Sequence, residues 1–208
     1  GWREFSYNLL FHHKDVATEP LRKEFASFDW QANKEYLKAW KEGKTGIPIV
    51  DAAMRQLATI GWMNNRMRMV VASFLTKNLR ISWQQGEHWF FENLVDADSA
   101  ANGTNWQWVA GCGTDSSPFF RVFNPVLQGK TYDSEGDFIK EWVPEVAKCQ
   151  KKFLHEPWLA DDTGGITYRK PLVDLAESRK EALEAFKKLK KNNLLTIACD
   201  EDSARIAL

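Results

Sequence analysis

From Asp96 to Trp108 the sequence reads Asp96-Ala97-Asp98-Ser99-Ala100-Ala101-Asn102-Gly103-Thr104-Asn105-Trp106-Gln107-Trp108. Two carboxylates, the carboxamide of Asn102 and two indoles fall within thirteen residues. Small Ala and Ser side chains between them would let a flat molecule approach the backbone. Polar groups at its edge and indoles beside it are the composition of a cofactor wall. The same residues also describe a helix start with aspartate caps and two core tryptophans, and only the rest of the chain separates the readings.

Arg66 and Arg68 follow Asn64-Asn65, in what reads as the first turn of a helix. The helix dipole disfavours cations there unless an anion is close. They are either solvated arginines or a phosphate clamp. Cys112, Cys149 and Cys199 are odd in number, far apart and without a C-x-x-C or a nearby His pair. They fit free thiols in a reducing compartment, and no metal site is expected. Ten tryptophans and thirteen phenylalanines are a large aromatic load, because a buried indole needs a partner for its N–H. Core packing explains most of them; redox or stacking roles would explain a few.

Behind these residues stands a chain of 208 residues, 44% hydrophobic and 27% charged, enough for one full-sized core. No apolar run approaches the roughly 20 residues that span a bilayer. Lys+Arg and Asp+Glu are 28 each, so a nucleic-acid partner would need a local basic patch. No signal peptide is recognisable. The opening Gly1-Trp2-Arg3-Glu4-Phe5 already reads as helix, an expectation of a piece of something longer.

Helical periodicity dominates, and strand signals are almost absent, so an all-α domain is expected. Trp2, Phe5, Leu9 and Leu10 mark one face of a helix over 2–13. A helix over 33–40 is stopped by Gly43. Thr45-Gly46-Ile47-Pro48 predicts a helix entry with a capping hydroxyl, followed by an apolar run to Gly61. Further helices are expected from Asn64-Asn65, over 86–97 with Trp89, Phe90, Leu94 and Val95 inward, and briefly around Phe138, Ile139 and Trp142. Gly111 to Pro118 and Asp133 to Gly136 read as turns. His155-Glu156-Pro157-Trp158 reads as extended because of its proline. Residues 174–191 predict an exposed amphipathic terminal helix whose lysines are solvated or touch DNA phosphates. No pattern is legible from Asn192 on.

Several long stretches closely resemble the FAD-binding domain of the DNA photolyase and cryptochrome family. They are Lys44 to Leu57 (KTGIPIVDAAMRQL), Gly61 to Met69 (GWMNNRMRM), Asp96 to Trp108, and Phe119-Phe120-Arg121-Val122-Phe123-Asn124-Pro125. They occur in the family's order and spacing over roughly residues 2–172. The resemblance implies the C-terminal part of a helical flavin domain over 1–172, with the amphipathic helix and tail over 173–208. It is nearest to the class I enzymes acting on cyclobutane pyrimidine dimers.

By resemblance, FAD is held bent, with Arg3, Trp62, Asn65, Arg68, Asp96, Asp98 and Asn102 around it. Trp62 borders the adenine region, and Asn102 faces the flavin N5, where a carboxamide can accept from a protonated nitrogen or donate to an unprotonated one. Many cryptochromes carry Asp or Cys there, so Asn102 favours a photolyase working from fully reduced flavin. Trp2 and Trp108 match the tryptophans stacking on a flipped dimer, with Met69 over it; the (6-4) photolyases carry a histidine at the Met69 position. Arg3, Asn65, Arg66, Arg121 and Gln128 match positions at the DNA. Trp106, Trp83 and Trp30 match an electron-transfer chain from flavin to surface.

A family glutamate that assists the dimer radical would fall just upstream of Gly1. The antenna domain with its pigment and the loop gripping the FAD phosphates would also lie outside this chain. The expected partner is UV-damaged DNA, met by a monomeric, cytoplasmic bacterial protein away from membranes. A cryptochrome-type light receptor and a flavin-free DNA or protein interaction module are the alternatives.

Overall fold

The computed structural model describes residues 1–114, 120–160 and 168–206, with the backbone alone over 194–206. The turn residues Asp115, Ser116, Ser117 and Pro118, then Phe119, and the side chain of Cys199 lie outside the described residues. Nine helices occur among the described residues: α1 Trp2–His12, α2 Lys34–Lys41, α3 Pro48–Ile60, α4 Asn65–Ser73, α5 Trp83–Asn93, α6 Ser99–Ala110, α7 Pro125–Tyr132, α8 Asp137–Trp142 and α9 Leu175–Ile206. Short 3-10 turns join them, and no strand occurs among these residues. None of these helices is long and apolar enough to cross a membrane.

Side-chain caps set four of the starts. Asn33, Asn64, Asp98 and Asn124 each accept the backbone N–H three residues on. Gly61 and Gly111 end α3 and α6 in the left-handed conformation that glycine takes without penalty. The expected capping hydroxyl before α3 works differently. Thr45 donates its hydroxyl and its N–H to Asp51 Oδ1 at 2.7 and 2.6 Å, and Gly46 N–H reaches Oδ2 at 3.1 Å. Tyr168 adds its hydroxyl to that fully buried carboxylate. Asp51, one turn inside the helix, therefore closes the entry and also pins the segment after residue 167.

The core lies around α3 and α4, with Val50, Met54, Leu57, Val70, Val71 and Leu75 inaccessible. Trp40 shows how an indole is buried here: it is fully enclosed, and Nε1 donates to Val71 O at 3.0 Å. After Ser73, α4 widens into a π turn, Phe74–Asn78. Such a turn inserts an extra residue into the helix and re-aims the side chains beyond it.

Several elements differ from the sequence reading. In α1 the buried residue is Ser6, while Trp2 and Phe5 are exposed and Leu9 and Leu10 half-buried; polar groups, Ser6 and Tyr7, fasten this helix to α6 and its cap. Helix α5 begins at Trp83, three residues before the expected start, and ends before Val95, which is 78% exposed. Helix α7 was not anticipated, although Asn124-Pro125 is a cap followed by proline at the first helical position. Pro157 opens a 3-10 turn, and Glu156 before it, at φ −141° and ψ 60°, is not extended, so the expected extended stretch is absent here. Helix α9 runs to Ile206, beyond the last legible periodicity, and it is docked: Ser178, Ala182, Ala185 and Leu189 are buried, and Phe186 stacks on Phe120 at 4.4 Å.

Candidate functional site

Helix α6 carries the central group. Asp98 caps it, accepting Ala101 N–H at 2.7 Å with one oxygen and the Tyr7 hydroxyl of α1 with the other. The Tyr7 bond first, and the backbone bond after it, hold the Asp98 carboxyl below its usual range, with a smaller push from the charge of Arg3. The same bond raises the Tyr7 hydroxyl. A Ser6–Thr104 hydroxyl pair at 2.9 Å fastens α1 to α6 one turn further on. Gly103 is required because a Cβ there would lie 2.9 Å from Val16 O. The aspartate-cap reading thus describes Asp98, whereas Asp96 is drawn to α4.

Arg68 Nη2 lies 2.9 Å from both Asp96 oxygens, and its Nε donates to Met63 O at 2.7 Å. Asp96 is the anion that makes a cation tolerable in the first turn of α4. Arg66 instead lies over the Tyr132 ring of α7, 4.5 Å from its centroid. Asn65 donates to Met69 Sδ one turn on at 3.8 Å.

The orientation of Asn102 follows from its partners. Its Nδ2 donates to Glu87 O and to Glu87 Oε1, both at 2.9 Å. A backbone carbonyl only accepts, so the atom facing it is the amide nitrogen. Both amide hydrogens are then engaged, and the oxygen, which accepts no hydrogen bond from any described residue, is left for a ligand. Asn102 therefore presents its oxygen, an acceptor, rather than its nitrogen. Burial pushes the Glu87 carboxyl up, and the bond from Asn102 opposes that shift. Glu87 and Tyr7 were missed in the sequence. A carboxylate one turn from Trp83 and three residues before Phe90, on the inward side of α5, was the available signal for Glu87; nothing distinguished Tyr7.

Trp106 is 3% and Trp83 1% exposed. Trp106 meets Phe90 at 5.0 Å and Trp40 at 6.2 Å, both edge-on. Its six-membered ring lies on Gly86, where a Cβ would fall 2.2 Å from Cη2. Gly86 is one turn beyond Trp83 in α5, and Trp106 of α6 packs on it. Trp30, half-buried, packs on Phe28 at 4.5 Å. Trp2 is 76% and Trp62 44% exposed. Arg3 is exposed near Asp98. Trp108 and Arg121 line one void of about 30 Å³, which brings these two positions together. Gln128 is turned partly inward, its Oε1 buried without a partner. No group of three potential metal ligands occurs among the described residues.

A family profile described as the FAD binding domain of DNA photolyase matches residues 1–188. Deoxyribodipyrimidine photo-lyase of Agrobacterium fabrum is 48% identical over 198 residues, and that of Escherichia coli K12 is 47% identical over 193. Each alignment covers 91% of this chain and 41% of the relative, so the chain spans about two fifths of the length of the curated relatives it matches. A class III photolyase from Agrobacterium tumefaciens superposes with a TM-score of 0.87 at 49% identity, over 91% of this chain and 41% of that one. A Synechocystis cryptochrome superposes with 0.83 at 34% identity, over 88% and 40%.

Proposed function

This chain belongs to the DNA photolyase family, by its FAD-binding domain, and on that premise we propose that its residues serve light-driven repair of cyclobutane pyrimidine dimers in DNA. The observation that carries the reading is Asn102, whose nitrogen is committed to Glu87 and whose oxygen is free to accept. A protonated flavin N5 requires an acceptor, so the residues present fit reduced FAD. The Arg68–Asp96 pair supplies charged groups of both signs beside it, with Asp98 and Asn65 nearby along α6 and α4. When bound and reduced, FAD supplies the photoexcited electron.

The protein's part is positional. Photolyases act on an extruded nucleotide, and Trp2 and Trp108 offer it faces on which stacking contributes roughly 1–3 kcal/mol per base. Met69, held by Asn65, sits on the same face of α4 and reads the dimer. Arg3, Arg66, Arg121 and Gln128 meet the strand around it, which makes affinity salt-dependent. Trp106, Trp83 and Trp30 carry electrons between flavin and surface. The protein works in the cytoplasm as a monomer.

The deciding experiment illuminates the flavin-loaded, reduced protein with UV-treated oligothymidylate and follows the return of thymine absorbance. Recovery in light and none in the dark supports repair. Retained flavin without recovery in the full-length protein identifies a light receptor, the reading that the cryptochrome neighbour represents. Met69→Ala is expected to weaken binding to dimer-containing DNA by about 1 kcal/mol or more while leaving undamaged DNA unchanged; equal losses in a titration would remove Met69 from lesion reading. Asn102→Asp places a carboxylate against Glu87 O, where nothing is left to donate, and is expected to change the flavin spectrum under light. An identical spectrum would remove Asn102 from contact with N5.

A further inference from the structure

Lys77 is a buried amine outside the proposed flavin and relay groups. It lies in the π turn Phe74–Asn78 and is 1% exposed. Nζ donates to Ala110 O at 2.5 Å and stands 3.2 Å from the Phe120 centroid. Burial lowers its pKa well below the usual 10.5, so the fold favours the neutral amine, with two hydrogens and one lone pair. One hydrogen is spent on the carbonyl and the other faces the aromatic ring. The lone pair meets no donor among the described residues.

That amine borders the void of about 30 Å³ beside Trp108 and Arg121. Phe120, over which Nζ sits, and Gly111, where a Cβ would lie 3.4 Å from Nζ, both belong to the wall. A single water needs roughly 10–15 Å³ of such space, so the void admits one small linear molecule. Trp108, Phe120, Phe123 and Phe186 make the wall largely aromatic, which disfavours entry of a hydrated ion. A second, independent observation concerns Ser73, which lines the same void four residues before Lys77 and is 2% exposed. Its Oγ accepts Phe123 N–H at 3.2 Å, while its own hydroxyl hydrogen has no acceptor among the described residues. Arg22 also lines the void. Glu24 takes two of its guanidinium hydrogens and Gly111 O a third, which leaves two of five unspent. An entrant that arrives uncharged and becomes an anion at the amine therefore meets a buried hydroxyl donor and a cation.

We propose that Lys77 is a carbamylation site for dissolved carbon dioxide. The Nζ lone pair forms a bond to the carbon of CO2, and the π pair of one C=O moves onto its oxygen. The hydrogen facing Phe120 leaves as a proton to water, while the remaining N–H keeps Ala110 O. The new carboxylate takes the Ser73 hydroxyl hydrogen and an unspent N–H of Arg22. The negative end of α6 opposes this anion; Arg22, already at Gly111 O, offsets it. No oxidant, reductant or further substrate enters, and proton uptake with loss of CO2 reverses the step. Dissolved CO2 thereby sets whether the group holding the end of α6 is neutral or anionic.

The test is made on the chain at about pH 7.5, equilibrated with isotopically labelled bicarbonate and carbon dioxide. Triethyloxonium tetrafluoroborate then converts carbamates to stable ethyl esters, which peptide mass spectrometry locates. An ordinary lysine is neutral about once in a thousand at this pH, so label at Lys77 is expected at least about tenfold above that at any exposed lysine. The Gly1 amine serves as reference for the trapping chemistry. In guanidinium chloride the Lys77 yield is expected to fall to the level of exposed lysines, and in folded Ser73→Ala to fall severalfold. Label confined to Gly1 and exposed lysines would overturn the site. Label at Lys77 that survives unfolding, or an equal yield in Ser73→Ala, would overturn the role of the cavity.

Discussion

Trp106→Phe is expected to slow light-driven reduction of bound flavin by at least about tenfold, a rise of roughly 1.4 kcal/mol or more in the barrier, while repair by chemically reduced protein survives. Phenylalanine fills part of the same space but is far harder to oxidise than indole. Packing complicates the test, because Trp106 is 3% exposed and rests on Phe90, Trp40 and Gly86. Removing the larger ring leaves a void at the α5–α6 seam that costs roughly 1–3 kcal/mol. Trp40→Phe separates the two effects. Trp40 touches Trp106 and is fully buried, and its Nε1 is tied to Val71 O, so its loss destabilises the protein comparably but removes no relay member. Photoreduction lost in Trp106→Phe and kept in Trp40→Phe, at equal folded fraction by circular dichroism, establishes the hop. Loss of photoreduction and repair together in Trp106→Phe would mean that the indole serves the pocket rather than the relay.

The chemistry of α6 was legible because its residues are close in sequence: Asp98, Asn102 and Trp106 recur every four positions and therefore share a face. Asp96 was legible as a site residue but not as the partner of Arg68, since that pair spans 28 positions. The acceptor role of Asn102 depends on Glu87, which contributes through a different helix. Helix α1 misled for a related reason. Its apolar residues have the correct spacing, yet it is held by Ser6–Thr104 and Tyr7–Asp98, and periodicity cannot register two polar side chains that meet across 98 and 91 positions. Helix α9 shows the converse, because Ser178, Ala182 and Ala185 are small enough to dock closely but too weakly hydrophobic to mark a buried face among its lysines.

The environment of Lys77 makes the stability of the fold depend on pH. It sits in the π turn after α4, 1% exposed, with Nζ 2.5 Å from Ala110 O and 3.2 Å from the Phe120 centroid. No carboxylate among the described residues pairs with it, and burial lowers its pKa well below the usual 10.5. The fold therefore favours the neutral amine, while the unfolded chain holds the proton up to its ordinary value. Between the two the unfolded state binds more protons, so stability rises with pH, by up to about 1.4 kcal/mol per unit. Cys112 opposes this only at higher pH. Burial raises its thiol from 9.0 to about 12, so its contribution is lost as pH climbs through that range. His155, lowered from 6.5 chiefly by burial, acts on the acid side. The clean window is therefore about pH 7 to 8.5, where urea titrations of the chain are expected to give rising stability. Lys77→Met removes the titrating group but leaves Ala110 O without its donor, at about 1–3 kcal/mol, so the slope is the test and the absolute value is not. A slope unchanged in the variant would place the proton uptake elsewhere. A slope abolished with it means that the carbonyl end of α6, two residues beyond Trp108, is held by an uncharged amine, and that acidification loosens the helix carrying Asn102 and Trp106 from its far end.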